Sequence, residues 1–127
     1  MGMKLITPFK KVACAKAATI TSKTYNMRDL FYGITGAQLG YQLTAATGST
    51  STDADINVQG SYDNKNWDGA IKFKDAVDLH LGANFFGVIS LTGPYPFLRF
   101  TCIEQNSNPI VDFELLVSYP TSEKVRH

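Results

Sequence analysis

The chain has 127 residues, a length that fits one domain and buries a core without metals or several disulfides. Its formal net charge of +1 excludes nucleic-acid binding through bulk electrostatics. Eight Phe, six Tyr and one Trp, with only 18% charged residues, lean the composition toward strands.

The charge is unevenly placed. Lys4, Lys10, Lys11, Lys16, Lys23 and Arg28 precede the first acid, Asp29, and the six basic and eleven acidic residues from there on balance to −5. A basic start and an acidic body suit head-to-tail packing of copies; the plainer reading puts these lysines on solvated strand faces. A leader peptide is not expected, because Pro8, Lys10 and Lys11 break the apolar run it needs. Val12-Ala13-Cys14 fails as a lipoprotein signal because Lys11 stands where an apolar residue is required. The expectation is a non-exported chain starting at Met1, a single domain over 1–127 with 1–11 as a basic arm. No run of about 18 apolar residues occurs, so no membrane-spanning helix is expected.

Val12 to Tyr25, rich in Ala and Thr, predicts one or two strands. From Ala37 to Ala45 the pattern is strict: Ala37, Leu39, Tyr41, Leu43 and Ala45 alternate with Gln38, Gly40, Gln42 and Thr44, as in a half-buried strand. Seven small polar residues from Thr47 to Asp53 read as an exposed loop. Asp55 to Tyr62 alternates again, with Ile56 and Val58 against Asn57, Gln59 and Ser61. Asp63-Asn64-Lys65-Asn66 has the chemistry of a turn of about four residues. It predicts a hairpin whose return strand starts at Trp67 and passes through Ile71 and Phe73.

Asp75 to Leu81 suits either a strand or a short turn of helix. Phe85 to Leu91 carries no charge and reads as a strand buried on both faces. Gly93-Pro94-Tyr95-Pro96 is a stiff turn. Phe97–Ile103 and Ile110–Tyr119 are the two clearest strands. Leu98, Phe100 and Cys102 share one face in the first, and Val111, Phe113, Leu115 and Val117 share one in the second. Seven to nine short strands predict an all-β, antiparallel β-sandwich, jelly-roll-like or immunoglobulin-like.

Little in the sequence points to catalysis. The histidines are His80 and His127, no G-x-S-x-G elbow occurs, and the eleven acids show no suggestive cluster. His80 reads as structural or surface. Gly33-Ile34-Thr35-Gly36 lacks the lysine and context of a phosphate loop. Cys14 and Cys102 have no metal-ligand spacing and read as core residues; a disulfide would need their Cα atoms within about 7 Å. Asp53, Asp55 and Asn57 put oxygen ligands on one strand face, a weak calcium candidate that fails the EF-hand pattern at Val58 and Asn64. No cofactor is expected. Tyr62, Asp63, Trp67 and Tyr95 lie at strand ends and turns and would form a sugar platform if their rings are exposed; otherwise Trp67 plugs one end of the core.

Val58-Gln59-Gly60-Ser61-Tyr62-Asp63-Asn64-Lys65-Asn66-Trp67, with the later Pro96-Phe97-Leu98-Arg99-Phe100, resembles the hairpin and "Y-(I/V/L)-R" strand of discoidin-type, galactose-binding-like jelly rolls. Small β-sandwich structural proteins of tailed phages and prophages carry a similar pattern. The resemblance covers Asp55 to Ile103, with Asn64 in place of the usual Gly, and concerns scaffold; no discoidin site residue carries over. It implies a virion component (head decoration, head-fibre, neck or tail) assembled in the host cytoplasm, with homo-oligomer and other virion proteins as partners. Lys10, Lys11 and Lys16 would be its assembly contacts. A carbohydrate-binding or adhesive module is the alternative.

Overall fold

Alternating side chains let a strand bury one side and wet the other, and in the computed structural model of this chain such strands stack as two antiparallel sheets. The structure describes residues 2–15, 18–33, 36–45, 53–68, 71–78, 84–91, 93–104 and 110–121, of which 45, 53, 71–78, 110 and 111 are described in backbone alone. The strands are β1 (Gly2–Cys14), β2 (Thr19–Thr21), β3 (Tyr25–Asn26), β4 (Ala37–Ala45), β5 (Asp53–Ser61), β6 (Ile71–Asp78), β7 (Asn84–Leu91), β8 (Phe97–Glu104) and β9 (Ile110–Thr121).

One sheet has the order β1-β9-β4-β7 and the other β2-β8-β5-β6, with β3 also on β8. The pairs nest: β1 with β9, β2 and β3 with β8, β4 with β7, β5 with β6. Two further ladders, β4 with β9 and β5 with β8, join these pairs into sheets. A hairpin folded over on itself in this way is the jelly-roll winding, so the jelly-roll expectation holds over the immunoglobulin-like one.

The core lies between the sheets. Leu39 and Leu43 of β4, Ile56 and Val58 of β5, Leu98 and Phe100 of β8, and Phe113, Leu115 and Val117 of β9 are fully enclosed. The Phe9 and Phe113 rings meet at 5.3 Å, which ties β1 to the interior. Met27 and Leu30 are buried at one end, where Asp29 pairs with Lys4. Cys14 and Cys102 are buried free thiols, as core residues should be; Cys14 Sγ donates to the Ala18 carbonyl at 3.4 Å. Burial pushes both thiols up, which leaves them protonated and inert.

Two expectations are corrected and one open reading is resolved. First, β7 is not buried on both faces: Phe86 is 68% and Val88 61% exposed. The strand ends its sheet, and only its Ile89 and Leu91 side faces the core. Second, the strand after the hairpin does not begin at Trp67. β6 rejoins β5 at the Val58–Ile71 pair, and Trp67 belongs to the loop. That loop is longer than four residues because Ser61 and Asp63 hold it closed through side-chain hydrogen bonds. Third, residues 75–78 are strand, since the β5 ladder runs to the Asp53–Asp78 pair and overrides local propensity. His80, Lys16 and the 47–52 loop lie outside the described residues.

Candidate functional site

Two surfaces of the sandwich hold the side chains that sequence or structure singles out. The first is the end of the β5/β8 sheet. Ser61 Oγ accepts from the Asn64 amide at 2.9 Å and donates to the Asn66 carbonyl at 2.6 Å. Asp63 accepts from the Asn66 amide at 2.8 Å, the Lys65 amide at 2.9 Å and Asn66 Nδ2 at 2.7 Å. These donors, the Asn66 and Lys65 backbone amides first, hold the Asp63 carboxyl far below the usual carboxylate range. Asn64 takes φ 60°, the left-handed conformation that Asn tolerates. The Asp68 amide then closes the loop on the Gly60 carbonyl at 2.8 Å.

Aromatic rings pack onto this loop. Tyr95 is buried, lies on the Cα of Gly60, and donates its hydroxyl to the Asp68 carboxylate. That bond, with burial second, pushes the Tyr95 phenol up to about 12. Tyr62 covers Tyr95 at 5.1 Å between centroids and is itself 63% exposed. Arg99 lies 4.2 Å above the Trp67 ring, and its Nε donates to Gln59 Oε1 at 2.8 Å. Arg28 covers Phe97 in the same way at 4.8 Å.

Tyr62, Asp63, Trp67 and Tyr95 therefore gather at one end of the sandwich. Two of them are committed internally: Asp63 to its loop and Tyr95 to Gly60 and Asp68. One face of Trp67 already carries Arg99. An outside ligand meets the Tyr62 ring and the Arg99 guanidinium, a residue that spacing alone did not single out. Of the calcium candidates, Asp55 and Asn57 are buried and the Asn57 amide donates to Thr101 Oγ1 at 3.4 Å; the Asp53 side chain lies outside those described. Among the described residues no three His, Cys, Asp or Glu side chains group to hold a metal ion.

The second surface is the outer face of the β1-β9-β4-β7 sheet. Strand registers place Leu5, Ser118, Gly40 and Val88 in one row across it, and Leu116, Gln42 and Phe86 in the next. A Cβ on Gly40 would come 2.9 Å from Ser118 Oγ, and the missing side chain leaves a hollow. A groove of about 380 Å³ follows, lined by Leu5, Gln42, Phe86, Leu116 and Ser118 together with Gly40. Met3 and Leu5 are 68% and 62% exposed at its β1 side. The outward residues of β4 and β7, namely Gln38, Gly40, Gln42, Thr44, Asn84, Phe86, Val88 and Ser90, include no charge. An apolar centre depleted of charge is the composition of an interface core rather than of a wetted sheet.

Lys10 and Lys11 stand exposed on the same sheet's β1 edge, at register shifts that fall between Phe9 and Val12 and beyond, with Lys11 at φ 51°. The stretch expected as an arm is thus a strand paired with β9. Sequence reading missed Phe86 and Val88 as surface residues because an uncharged strand reads the same whether covered by its own chain or by another.

The class these features define is an antiparallel jelly-roll β-sandwich. Solved structures of a viral-particle protein are similar to it. The VP2 subviral particle of infectious bursal disease virus matches with TM-score 0.60 and 14% identity over 93% of this chain and 32% of that one. The same virus's Gx strain matches with TM-score 0.62 and 12% identity over 93% and 32%. The CBM22-1 xylan-binding domain from Paenibacillus barcinonensis Xyn10C matches with TM-score 0.50 and 11% identity over 97% of this chain and 88% of that one. The chain thus spans about a third of the viral chains, and identities this low speak for the fold alone. No family model and no curated protein matches the sequence.

Proposed function

We propose that the chain is a non-enzymatic structural subunit of a virion that acts by self-association, in its finer form a head-decoration, head-fibre, neck or tail component of a tailed phage or prophage. The observation that carries the reading is the uncharged outward side of β4 and β7 with exposed Phe86, Val88 and, on β1, Leu5, a patch that Asp112 and Glu114 of β9 border. Water penalises such a patch, and covering it with protein recovers roughly 25 cal/mol for each Å² of apolar area removed. The similarity to a viral-particle protein's β-sandwich supports the same reading. Lys10, Lys11 and Lys16 would steer acidic neighbours toward the edge of that face. Assembly in the host cytoplasm before release would place the protein in the virion.

Sedimentation velocity on the wild-type chain and on Leu5→Asp tests this. The wild type should sediment as several copies and the variant as fewer, with its fold kept because Leu5 is exposed. A wild type that sediments as one copy at every concentration sinks the reading.

A second reading, a carbohydrate-binding module, is favoured by the exposed Tyr62 ring braced from behind by Tyr95. A folded Trp67→Ala variant that has lost binding to an immobilised glycan would support it; a wild type that binds none of the glycans would remove it, and binding that survives in both Trp67→Ala and Tyr62→Ala would remove this end of the sandwich as the site.

A further inference from the structure

Sheet edges are where a β-protein risks pairing with other chains, and proteins protect them with short strands, charges, prolines or bulges. Most edges of this sandwich are protected in that manner. β1 carries Lys4, Pro8, Lys10 and Lys11 and has register shifts at Ile6/Phe9, Phe9/Val12 and Val12/Cys14. β2 and β3 are three and two residues long. β6 holds Lys72, Lys74, Asp75 and Asp78, and its ladder with β5 shifts register at two places. β7 differs. Its eight residues include no charge and no proline, and its ladder with β4 runs from Ala37–Leu91 to Thr44–Asn84 without a shift. Among the described residues the strand ends its sheet as a straight, uncharged edge.

The order of residues along β7 adds a second observation. Polarity is symmetric about Gly87: Phe86 and Val88 flank it on the exposed face, Phe85 and Ile89 on the inward face, and Asn84 and Ser90 follow on the outside. A strand with that symmetry is its own complement. If a second copy pairs antiparallel with Gly87 on the two-fold axis, Phe86 lies opposite Val88 of the second copy, and Val88 opposite its Phe86. Asn84 then meets Ser90, and Phe85 meets Ile89. Every cross-strand pair joins like with like, and no charge opposes another.

We propose that β7 is the self-association strand, pairing antiparallel with β7 of a second copy across a two-fold axis at Gly87, so that two four-stranded sheets become one of eight strands. The proposal rests on the assembly reading above and adds an edge contact to the face contact that Leu5→Asp tests, since Leu5 lies on β1 at the opposite edge of the sheet and this pairing leaves the outer face open to further copies. A two-fold contact of this kind closes on itself. The contact joins the two β7 edges and sets Phe86 and Val88 of one copy, 68% and 61% exposed when alone, against Val88 and Phe86 of the other. It also carries the apolar stripe of Phe86 and Val88 unbroken from one copy to the next, where the Leu116 and Leu5 side of each sheet continues it.

The test is a cysteine pair. In N84C/S90C the two thiols of one chain lie six residues apart along an extended strand, about 20 Å, too far for a bond within the chain. In the proposed register each faces its counterpart in the second copy. The native Cys14 and Cys102 are 0% exposed and stay out of the reaction. Oxidised glutathione, which is reduced as the interchain disulfide forms, should convert N84C/S90C to covalent dimer, whereas N84C alone should give at least ten-fold less. Val88→Lys, which puts two ammonium groups near one axis, should halve the solution mass while leaving the circular dichroism spectrum unchanged. If N84C/S90C gives no more dimer than N84C, and Val88→Lys keeps the wild-type mass while that mass is several copies, assembly stands and the β7 contact is wrong. If the wild type itself has the mass of one copy at all concentrations, both fall.

Discussion

Replacing Gly60 with alanine probes how the aromatic end is built. In an ordinary strand interior the change stabilises by about 0.5–1 kcal/mol, because glycine loses more backbone freedom on folding. Here Gly60 faces the Tyr95 ring, and an added Cβ would sit 2.6 Å from Cδ1 and nearer still to Cγ and Cδ2. Ordinary contact begins near 3.5 Å, so the ring must retreat by about 1 Å or more. Such overpacking costs about 1–3 kcal/mol. The retreat also pulls the Tyr95 hydroxyl from Asp68, a charge-assisted bond whose loss costs about 1.5–3 kcal/mol. With the backbone gain set against these, Gly60→Ala should destabilise by about 2–4 kcal/mol, a fall in melting midpoint of roughly 10 °C. Urea denaturation of Gly60→Ala, Tyr95→Ala and the double variant measures it. In the Tyr95→Ala background the glycine change should become neutral or slightly stabilising, because the clash has gone. A Gly60→Ala protein as stable as wild type would refute the seating of Tyr95 on Gly60.

Asp63 supplies a pH test: its folded carboxyl lies below the ordinary 3.8, so its contribution is present above that value and fades as pH falls toward the depressed one. Asp63→Asn should flatten the acid limb of the stability curve measured by thermal melts from pH 5 downward. Tyr95 works in the opposite sense. Its phenol is raised from 10 to about 12, so the stability it adds is intact below pH 10 and is lost as pH rises through 12. Tyr95→Phe should remove that alkaline limb, and ultraviolet titration of tyrosinate should show one fewer late-ionising group. The triple reversal K10E/K11E/K16E should slow or block assembly without lowering the melting midpoint; light-scattering growth curves at the wild-type rate would dismiss these lysines as contacts.

The sandwich was legible where side chains decide the face. Ala37 to Tyr41 and Phe113 to Val117 alternate so strictly that the core side follows from the sequence, and the structure buries Ala37, Leu39, Tyr41, Phe113, Leu115 and Val117. Jelly-roll order was not legible, because nesting β1 on β9 depends on contacts across the whole chain. The hairpin at Asp63-Asn64 was legible as turn chemistry; its length was not, since Ser61, Asp63 and Asp68 extend the loop through hydrogen bonds that spacing does not encode. Tyr62, Trp67 and Tyr95 lie at strand ends and turns, where their spacing put them. That Arg99 would cover Trp67 depends on β5 and β8 being neighbours, with Gln59 opposite Arg99. β7 is the instructive error: its lack of charge signalled cover, and the cover it was assigned, from within the chain, is absent on the Phe86 and Val88 face.

The most direct measurement is the solution mass of the purified 127-residue chain by light scattering, over a hundred-fold range of concentration at low and high salt. A mass of two or more copies that rises with concentration and survives high salt, as an apolar contact requires and a purely ionic one does not, is the expected result. A mass of one copy under every condition would contradict the claim that this sandwich works by covering its exposed sheet with copies of itself.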